Sequence, residues 1–429
     1  MTTFDRFERS IPELMTELAP ARVPDYFDDL LRQTATHRQR PAWSYPERWL
    51  PVDITARPLA MRSFPWRPLA ILALIALLLA AGLVVYVGSQ SRLPPPFGVA
   101  GNGVLVYRDA DGAIVSVDPT SGSRATVAPA AGGLGTPVAS RDGRRIALVT
   151  FASTRSGRIF VAGIDGSDRI PLAGGYREVD AVDWSPDDTH LAIVSNVAGI
   201  QAITVAATDG SASTSLPLDG QVAQIAYLPD GRLAVMAADR QGFSCPGDDP
   251  TIAPCALFVV NADGTGLDRL IGAGDFHGIN TITPAPDGTS ILWVEWKTGA
   301  EGRLHLFDLA TRTDRRIADD TFPVPYSINR AWFSPDGGSI LFDLFEKDGD
   351  HWAVVPTAGG SPVRIGQQWP RNGTDAAWAP DGRSVIARYQ TGDATSELWI
   401  LDPSGGGADR RLDVEVPDLP NWQRIAPGR

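Results

Sequence analysis

From Arg145 the chain reads RIALVTF, from His190 HLAIVS, from Ser290 SILWVEW and from Ser339 SILFDLF, each a short apolar strand. A second strand follows after a loop and ends in a turn, as in RIFVAGIDG from Arg158, CALFVVNADG from Cys255, RLHLFDLATR from Arg303, HWAVVPTAGG from His351 and ELWILDPSGG from Glu397. A short last strand such as DRIPL or LDRLI leads to the next unit. Each unit opens with one turn phrase: Ser140-Arg-Asp-Gly143, Ser185-Pro-Asp-Asp188, Leu228-Pro-Asp-Gly231, Ala285-Pro-Asp-Gly288, Ser334-Pro-Asp-Gly337 and Ala379-Pro-Asp-Gly382, with intervals of 45, 43, 57, 49 and 45 between the aspartates. Proline presets φ at the second turn position, aspartate bonds the backbone and glycine takes the left-handed conformation that closes the turn, so these aspartates read as turn formers.

Four strands per unit, here a to d, make the blade of a β-propeller. The b-c-d pattern occurs seven times, because GVLVYRDADGAIVSVDPTSGSRATVA from Gly103 has no a strand before it. The C-terminal VEVPDLPNWQRI, with Trp422 where other units carry Trp184, Trp332 or Trp378, can supply that strand and remove the open edge. The pattern therefore predicts an all-β, seven-bladed propeller over residues 103–425, or six blades if the terminal strands do not close.

The N-terminal part follows other periods. From Leu69 to Gly88 the chain reads LAILALIALLLAAGLVVYVG, and no charge occurs between Arg67 and Arg92. That length spans about 30 Å of hydrocarbon and predicts one transmembrane helix over 69–88, with Trp66 and Tyr86 as interfacial anchors. Arg48, Arg57, Arg62 and Arg67 precede it and Arg92 alone follows closely, which places the N-terminus in the cytoplasm and the propeller outside. Residues 89–102, with Leu93-Pro94-Pro95-Pro96-Phe97-Gly98, read as a stiff Pro-rich linker. Within the cytoplasmic segment 1–68, two amphipathic helices are expected, with Phe4, Phe7, Ile11, Leu14, Met15 and Leu18 on one face and Tyr26, Phe27, Leu30 and Leu31 on the next. Such faces either fold on each other, lie on the membrane or clasp a partner; Phe4, Phe7, Tyr26, Phe27, Leu30 and Leu31 are the candidate partner-binding residues.

Composition narrows the partners. The net charge is −12 and only Lys297 and Lys347 are lysines, so a nucleic-acid surface is excluded. The charge is uneven, with 10 basic and 9 acidic groups in residues 1–68 against 28 and 41 in the remainder. Cys245 and Cys255, the only cysteines, fall in one loop, QGFSCPGDDPTIAPCA, where an oxidising compartment would bridge them.

The turn phrase and the strands behind it resemble the TolB-like and Trp-Asp-repeat-like propeller repeats of bacterial envelope proteins, marked by (W/F)SPDG, an (I/L)AF-type strand and an (I/L)(Y/W)-x-(V/L)-D strand. The resemblance covers roughly residues 103–425 and implies the fold; it names no activity, because this repeat serves sensors, scaffolds and protease-associated domains alike. Three departures stand out: Arg141 replaces the proline, the fourth blade lacks tryptophan, and a membrane anchor stands where TolB has a globular N-terminal domain. The layout of helical segment, single span and external domain is similar to that of membrane-bound anti-sigma factors, which implies a sigma factor as the candidate cytoplasmic partner. With His37 alone and no cysteine in that segment, only the zinc-free version fits.

No Gly-x-Ser-x-Gly elbow occurs, no two histidines share a helical metal-site spacing, and Asp109 and Asp111 lack the remainder of a calcium loop, so neither a catalytic residue, a metal nor a cofactor is expected. The remaining place for a site is the channel mouth where the a strands begin. Aligning the blades on the turn aspartate selects Arg177, Glu178, Asp180, Gln221, His277, Asn280, Tyr326, Asn329, Arg371 and Asn372 as candidate ligand-binding residues. The sequence thus points to a membrane-anchored, non-enzymatic propeller that binds a small ligand or protein and signals inward. An envelope scaffold, or a propeller lyase or lactonase, is the alternative.

Overall fold

The computed structural model describes residues 32–33, 70–79, 93–130, 133–153, 156–197, 200–216, 220–238, 255–272, 279–295, 302–317, 326–346, 349–369, 375–391 and 396–427. The chain divides into two units, Met1–Gly88 and Ser89–Arg429. In the first, residues 70–79 are helical, and Ile71, Leu72, Leu74, Ile75, Leu77, Leu78 and Leu79 are 46–70% exposed. Among the described residues no helix is long and apolar enough to cross a membrane. That helix is ten of the twenty residues of the predicted span. The rest of the span lies outside the described residues, as do Phe4, Phe7, Tyr26, Phe27, Leu30 and Leu31.

The second unit is a ring of seven antiparallel sheets, so the seven-bladed reading holds and the six-bladed alternative falls. Blade 1 runs in the order Asn421–Ile425, Gly101–Arg108, Ile114–Val117 and Arg124–Ala128, the C-terminal strand supplying its a position. That pairing sets Gly101 against Ile425, Leu105 against Trp422 and Val106 against Asn421. The a strands of blades 2 to 7 are Val138–Ala139, Arg177–Trp184, Val222–Tyr227, Ile279–Pro284, the interrupted Tyr326–Ser327 and Ala331–Phe333, and Asp375–Trp378.

Seven apolar clusters fill the spaces between consecutive blades. A b strand is therefore covered on both faces. Leu233–Ala238 and Ser290–Glu295 are buried at every position, which is why these strands read as continuous apolar runs.

The turn phrases close as expected, with Gly288 N donating to Ala285 O at 2.9 Å and Gly337 N to Ser334 O at 2.8 Å. They also stack around the ring. A Cβ added to Gly288 would stand 3.3 Å from the Pro229 ring of the preceding blade, one on Gly337 3.6 Å from Pro286 and one on Gly382 3.5 Å from Pro335. Between blades 2 and 3 both partners differ from the repeat. Arg141 occupies the proline position and Asp188 the glycine position, and Asp188 Oδ1 and Oδ2 accept the backbone N–H groups of Arg141 and Asp142, each at 2.8 Å. Proline at 141 has no N–H to give. Asp188 holds φ at 57°, a left-handed conformation that these two bonds stabilise.

The Arg141 side chain extends the seam. It donates to both carboxylate oxygens of Asp183 at 3.0 Å and to Trp184 O at 2.9 Å, and its guanidinium lies 4.1 Å from the Phe97 ring centroid. Asp183 in turn accepts Tyr227 N of blade 4 at 2.7 Å, so one carboxylate joins three blades. The end of the Pro-rich segment is docked here rather than free: Pro94 is buried, and Arg424 donates to the carbonyls of Pro95 and Gly98 at 2.9 and 2.7 Å. Burial, reinforced by the nearby Arg141 charge, lowers the Arg424 pKa to about 10.

Candidate functional site

At the predicted mouth, Arg177, Glu178 and Asp180 stand exposed on the a strand of blade 3, where two register shifts and a φ of 47° at Glu178 interrupt regular pairing. Asn196 Nδ2 donates to Glu178 at 3.3 Å. Gln201 Nε2 donates to Asp180 at 2.6 Å while Gln201 Oε1 accepts Val222 N at 2.7 Å, which ties blade 3 to blade 4. Gln221 is exposed, and its carbonyl accepts Ala238 N at 2.8 Å. Asn329 donates its backbone N–H to Asp343 Oδ1 at 2.8 Å. His277, Arg371, Asn372 and the side chains of Asn280 and Tyr326 lie outside the described residues. Among the described residues no hydrogen bond joins one of these mouth residues to another; Glu178 and Asp180 are tied to their own blade, and the Asn329 carbonyl accepts Thr281 Oγ1 of the preceding blade at 3.0 Å.

Beside Asn329 lies an ionic lattice that strand periodicity does not reveal. Arg330 bonds Asp343 at 3.1 Å and Asp375 of blade 7 at 2.5 Å, and Arg388 bonds the other Asp375 oxygen at 2.8 Å. Asp343 is fully buried; desolvation pushes its pKa up against the pull of Arg330. Burial acts the same way on Asp375, but hydrogen bonds from Arg388 and Arg330 outweigh it and hold this carboxyl below the usual range.

A cleft of about 530 Å³ opens on the opposite face, that of the turn phrases, between blades 3 and 4. The stacking of turns is interrupted at this seam, since a Cβ on Gly231 would meet nothing within 4 Å. The residue before the turn also differs between blades. In blade 3, Trp184 Nε1 donates to Val138 O of the preceding blade at 3.0 Å, and in blade 7, Trp378 Nε1 donates to Trp332 O at 3.3 Å. Blade 4 has Tyr227 at this position, 2% exposed, and its hydroxyl has no hydrogen-bond partner among the described residues. The walls add the apolar Pro186, Val205 and Ala207 and the polar Asp187, His190, Asp230 and Asp263.

Burial pushes the Tyr227 phenol up, and the charges of Asp183 and Asp187 push it further, so it stays protonated. Asp187 is pushed up by burial, but hydrogen bonds from Ser185 and Thr189 outweigh it and hold it below the ordinary 3.8. Asp230 behaves likewise through Arg232, and Asp263 is held low by the hydroxyl and N–H of Thr265. The cleft walls therefore carry three carboxylates at pH 7, beside the hydroxyls of Ser185, Ser213 and Thr214.

The same turn chemistry sets an acid limit. Asp187, Asp230, Asp263 and Asp336 all have pKa values lowered from 3.8, so their contribution is complete above 3.8 and is lost as pH falls through the lower, folded-state values. Asp188 and Asp343, raised by burial, act in the opposite sense and lose their contribution as pH rises through their folded-state values. With more turn aspartates lowered than raised, the urea midpoint is expected to fall as pH drops below 3.8, between about pH 4 and pH 2, and Asp336→Asn should flatten that fall. A midpoint constant across the interval would reject this account.

Sequence reasoning missed Tyr227, Asp183 and the Arg330 lattice. The available signal lay in the departures from the repeat: Arg141 for proline and a blade without tryptophan mark the three-blade junction and the cleft. Cys255 is disulfide-bonded, and its only possible intrachain partner, Cys245, lies outside the described residues.

No protein-family model and no curated protein matches the chain. Solved structures do match. The β-propeller domain of the trilobed protease from Pyrococcus furiosus, described as having an open velcro topology, superposes with a TM-score of 0.52 at 16% identity over 75% of this chain and 97% of that one. Prolyl endopeptidase superposes with a TM-score of 0.55 at 13% identity over 79% of this chain and 51% of that one, so the chain spans about half the endopeptidase's length. TolB from Acinetobacter baumannii gives a TM-score of 0.47 at 15% identity over 77% of this chain and 68% of that one, too loose a superposition to argue from. At these identities the likeness shows the propeller fold alone.

Proposed function

We propose that this chain is a single-pass membrane protein whose propeller, outside the cytoplasm, binds a ligand or protein and whose N-terminal helices relay that event to a partner inside, a sigma factor being the candidate. The observation that carries the binding half is an open seam between blades 3 and 4: a 530 Å³ cleft at which the turn stacking is broken. Membrane attachment is supported by the uninterrupted apolar run 69–88 and by the exposure of Ile71 to Leu79 on its described part, a surface that water disfavours. The oxidised state of Cys255 agrees with an external propeller.

Capture experiments on the tagged full-length chain from membranes test the relay. Wild type should retain one specific cytoplasmic protein that Phe27→Asp with Leu30→Asp loses by at least tenfold. Equal capture by both chains, or none by either, rejects the relay and leaves an external binding propeller. Extraction of the chain by carbonate wash would reject membrane spanning.

A further inference from the structure

We propose that residues 94–100 are a strap laid across the axis of the ring, closing the turn-face end of the central channel, and that the strap releases as a unit, with Phe97 as its latch, while the blades stay folded. The inference stands on the propeller alone and goes beyond the function proposed above. Its first support is the path of the chain. Phe97 packs against the apolar cluster between blades 3 and 4, and the Arg141 guanidinium of blade 2 lies 4.1 Å from its ring centroid. The next residue already reaches the far side: a Cβ added to Gly98 would stand 3.8 Å from Pro335 O of blade 6. In a closed ring of seven, blade 6 is as distant from blades 2 and 3 as any blade can be, so two consecutive residues that touch both sides lie over the axis. Arg424 of blade 1 donates to Pro95 O and Gly98 O at 2.9 and 2.7 Å, and Ala100 N donates to Pro380 O of blade 7 at 2.8 Å.

The second support is what holds the strap. The blades are built from paired strands, and in this part of the chain pairing starts only at Gly101; residues 94–100 belong to no strand. Among the described residues the strap is held by the three hydrogen bonds above, two of them from one arginine, and by the half-buried Phe97. Pro94 and Ala100 are buried at its two ends, whereas Pro95, Pro96 and Val99 are exposed. Gly98 stands at a φ of 86°, a left-handed bend between the proline run and the ring. A segment with few buried apolar contacts and no strand pairing opens at a lower free energy than the strands it adjoins. Pro94-Pro95-Pro96 is a stiff element, so a displacement at its start is carried to Phe97 rather than absorbed. Docked, the strap fixes where the chain enters the ring. Released, it uncovers the channel end and adds its own length, about 25 Å of contour, to the segment before the propeller.

Native-state hydrogen exchange of the full-length chain at increasing urea, read by mass spectrometry with fragmentation to single amides, tests both parts. The Ala100 amide should exchange at least about tenfold more slowly than in a free peptide of residues 93–100, and at a rate that low urea leaves unchanged, as a local opening does. The amides of Leu105 and Val106, inside blade 1, should instead exchange faster as urea is raised, because they open only with the whole ring. Phe97→Ala should speed exchange at Ala100 at least about tenfold and leave Leu105, Val106 and the urea midpoint as in wild type. The proposal is overturned if wild-type Ala100 exchanges as fast as the free peptide, which would leave the channel end open. It is overturned equally if Ala100 shares the urea dependence of Leu105 and Val106, which would make the strap part of one cooperative fold. Phe97→Ala would also overturn it by leaving Ala100 unchanged or by moving strap and strand together. None of these outcomes bears on membrane attachment or the relay, which carbonate extraction and capture decide separately.

Discussion

Deleting residues 420–429 is expected to unfold the propeller or lower its stability by at least about 5 kcal/mol, the scale of a whole domain's net stability. The deletion removes the a strand of blade 1 and with it the ladder to Gly101–Arg108, exposing the buried edge at Leu105 and Val106. Trp422, whose Nε1 donates to Gly103 O at 3.1 Å, is lost, and removing a packed tryptophan alone costs about 3–5 kcal/mol. Bonds to the next blade go too: Ala139 N to Asn421 Oδ1 at 3.2 Å and Gln423 Nε2 to Gly143 O at 2.7 Å. An unpaired b strand then templates association with other chains. Urea unfolding followed by tryptophan fluorescence, with gel filtration for mass, checks both effects; an unchanged midpoint in a monomer would show that the ring does not depend on this closure.

Arg141→Pro, a change toward the repeat's own phrase, is expected to destabilise by about 2–4 kcal/mol. The second turn position suits proline, so backbone strain is not the cause. What disappears is the N–H that Asp188 accepts, the two bonds to Asp183, the bond to Trp184 O and the contact on Phe97. Asp183 and Asp188 are left as partly desolvated carboxylates without their cationic partner. Adding Asp188→Gly should recover part of the loss, because glycine accepts the left-handed φ of 57° without needing those bonds. Thermal unfolding of the single and double variants measures this coupling; strictly additive effects would contradict it. The same arginine also holds the chain entering the propeller through Phe97, so loosening of residues 93–100 should accompany the loss.

The fold was largely legible because a propeller repeats one local rule. Turn chemistry at Ser334-Pro-Asp-Gly337 and the apolar run SILFDLF are determined within a dozen residues, and repetition multiplies a modest signal into a count of blades. The closure by Trp422 was legible for a related reason: an a strand missing at Gly103 and a spare one after Val414 have one economical solution. The site was less legible. The polar columns at Arg177, Glu178 and Asp180 identify positions at one end of the ring, yet the Glu178 and Asp180 side chains bond Asn196 and Gln201 of their own blade.

By itself, then, the sequence determined the blade unit, its repetition and the apolar run 69–88, all of them properties of contiguous residues, while the pairing of Asn421–Ile425 with Gly101–Arg108 settled seven blades over six. Tertiary structure alone decided which departures from the repeat meet. Arg141 and Asp188 lie 47 residues apart and bond, and Tyr227 lines the seam where blade 4 faces blade 3. The physical reason is that seams are formed between blades, by groups whose separation along the chain is about one repeat, and hydrogen-bond complementarity across such a gap leaves no periodic trace in a single strand.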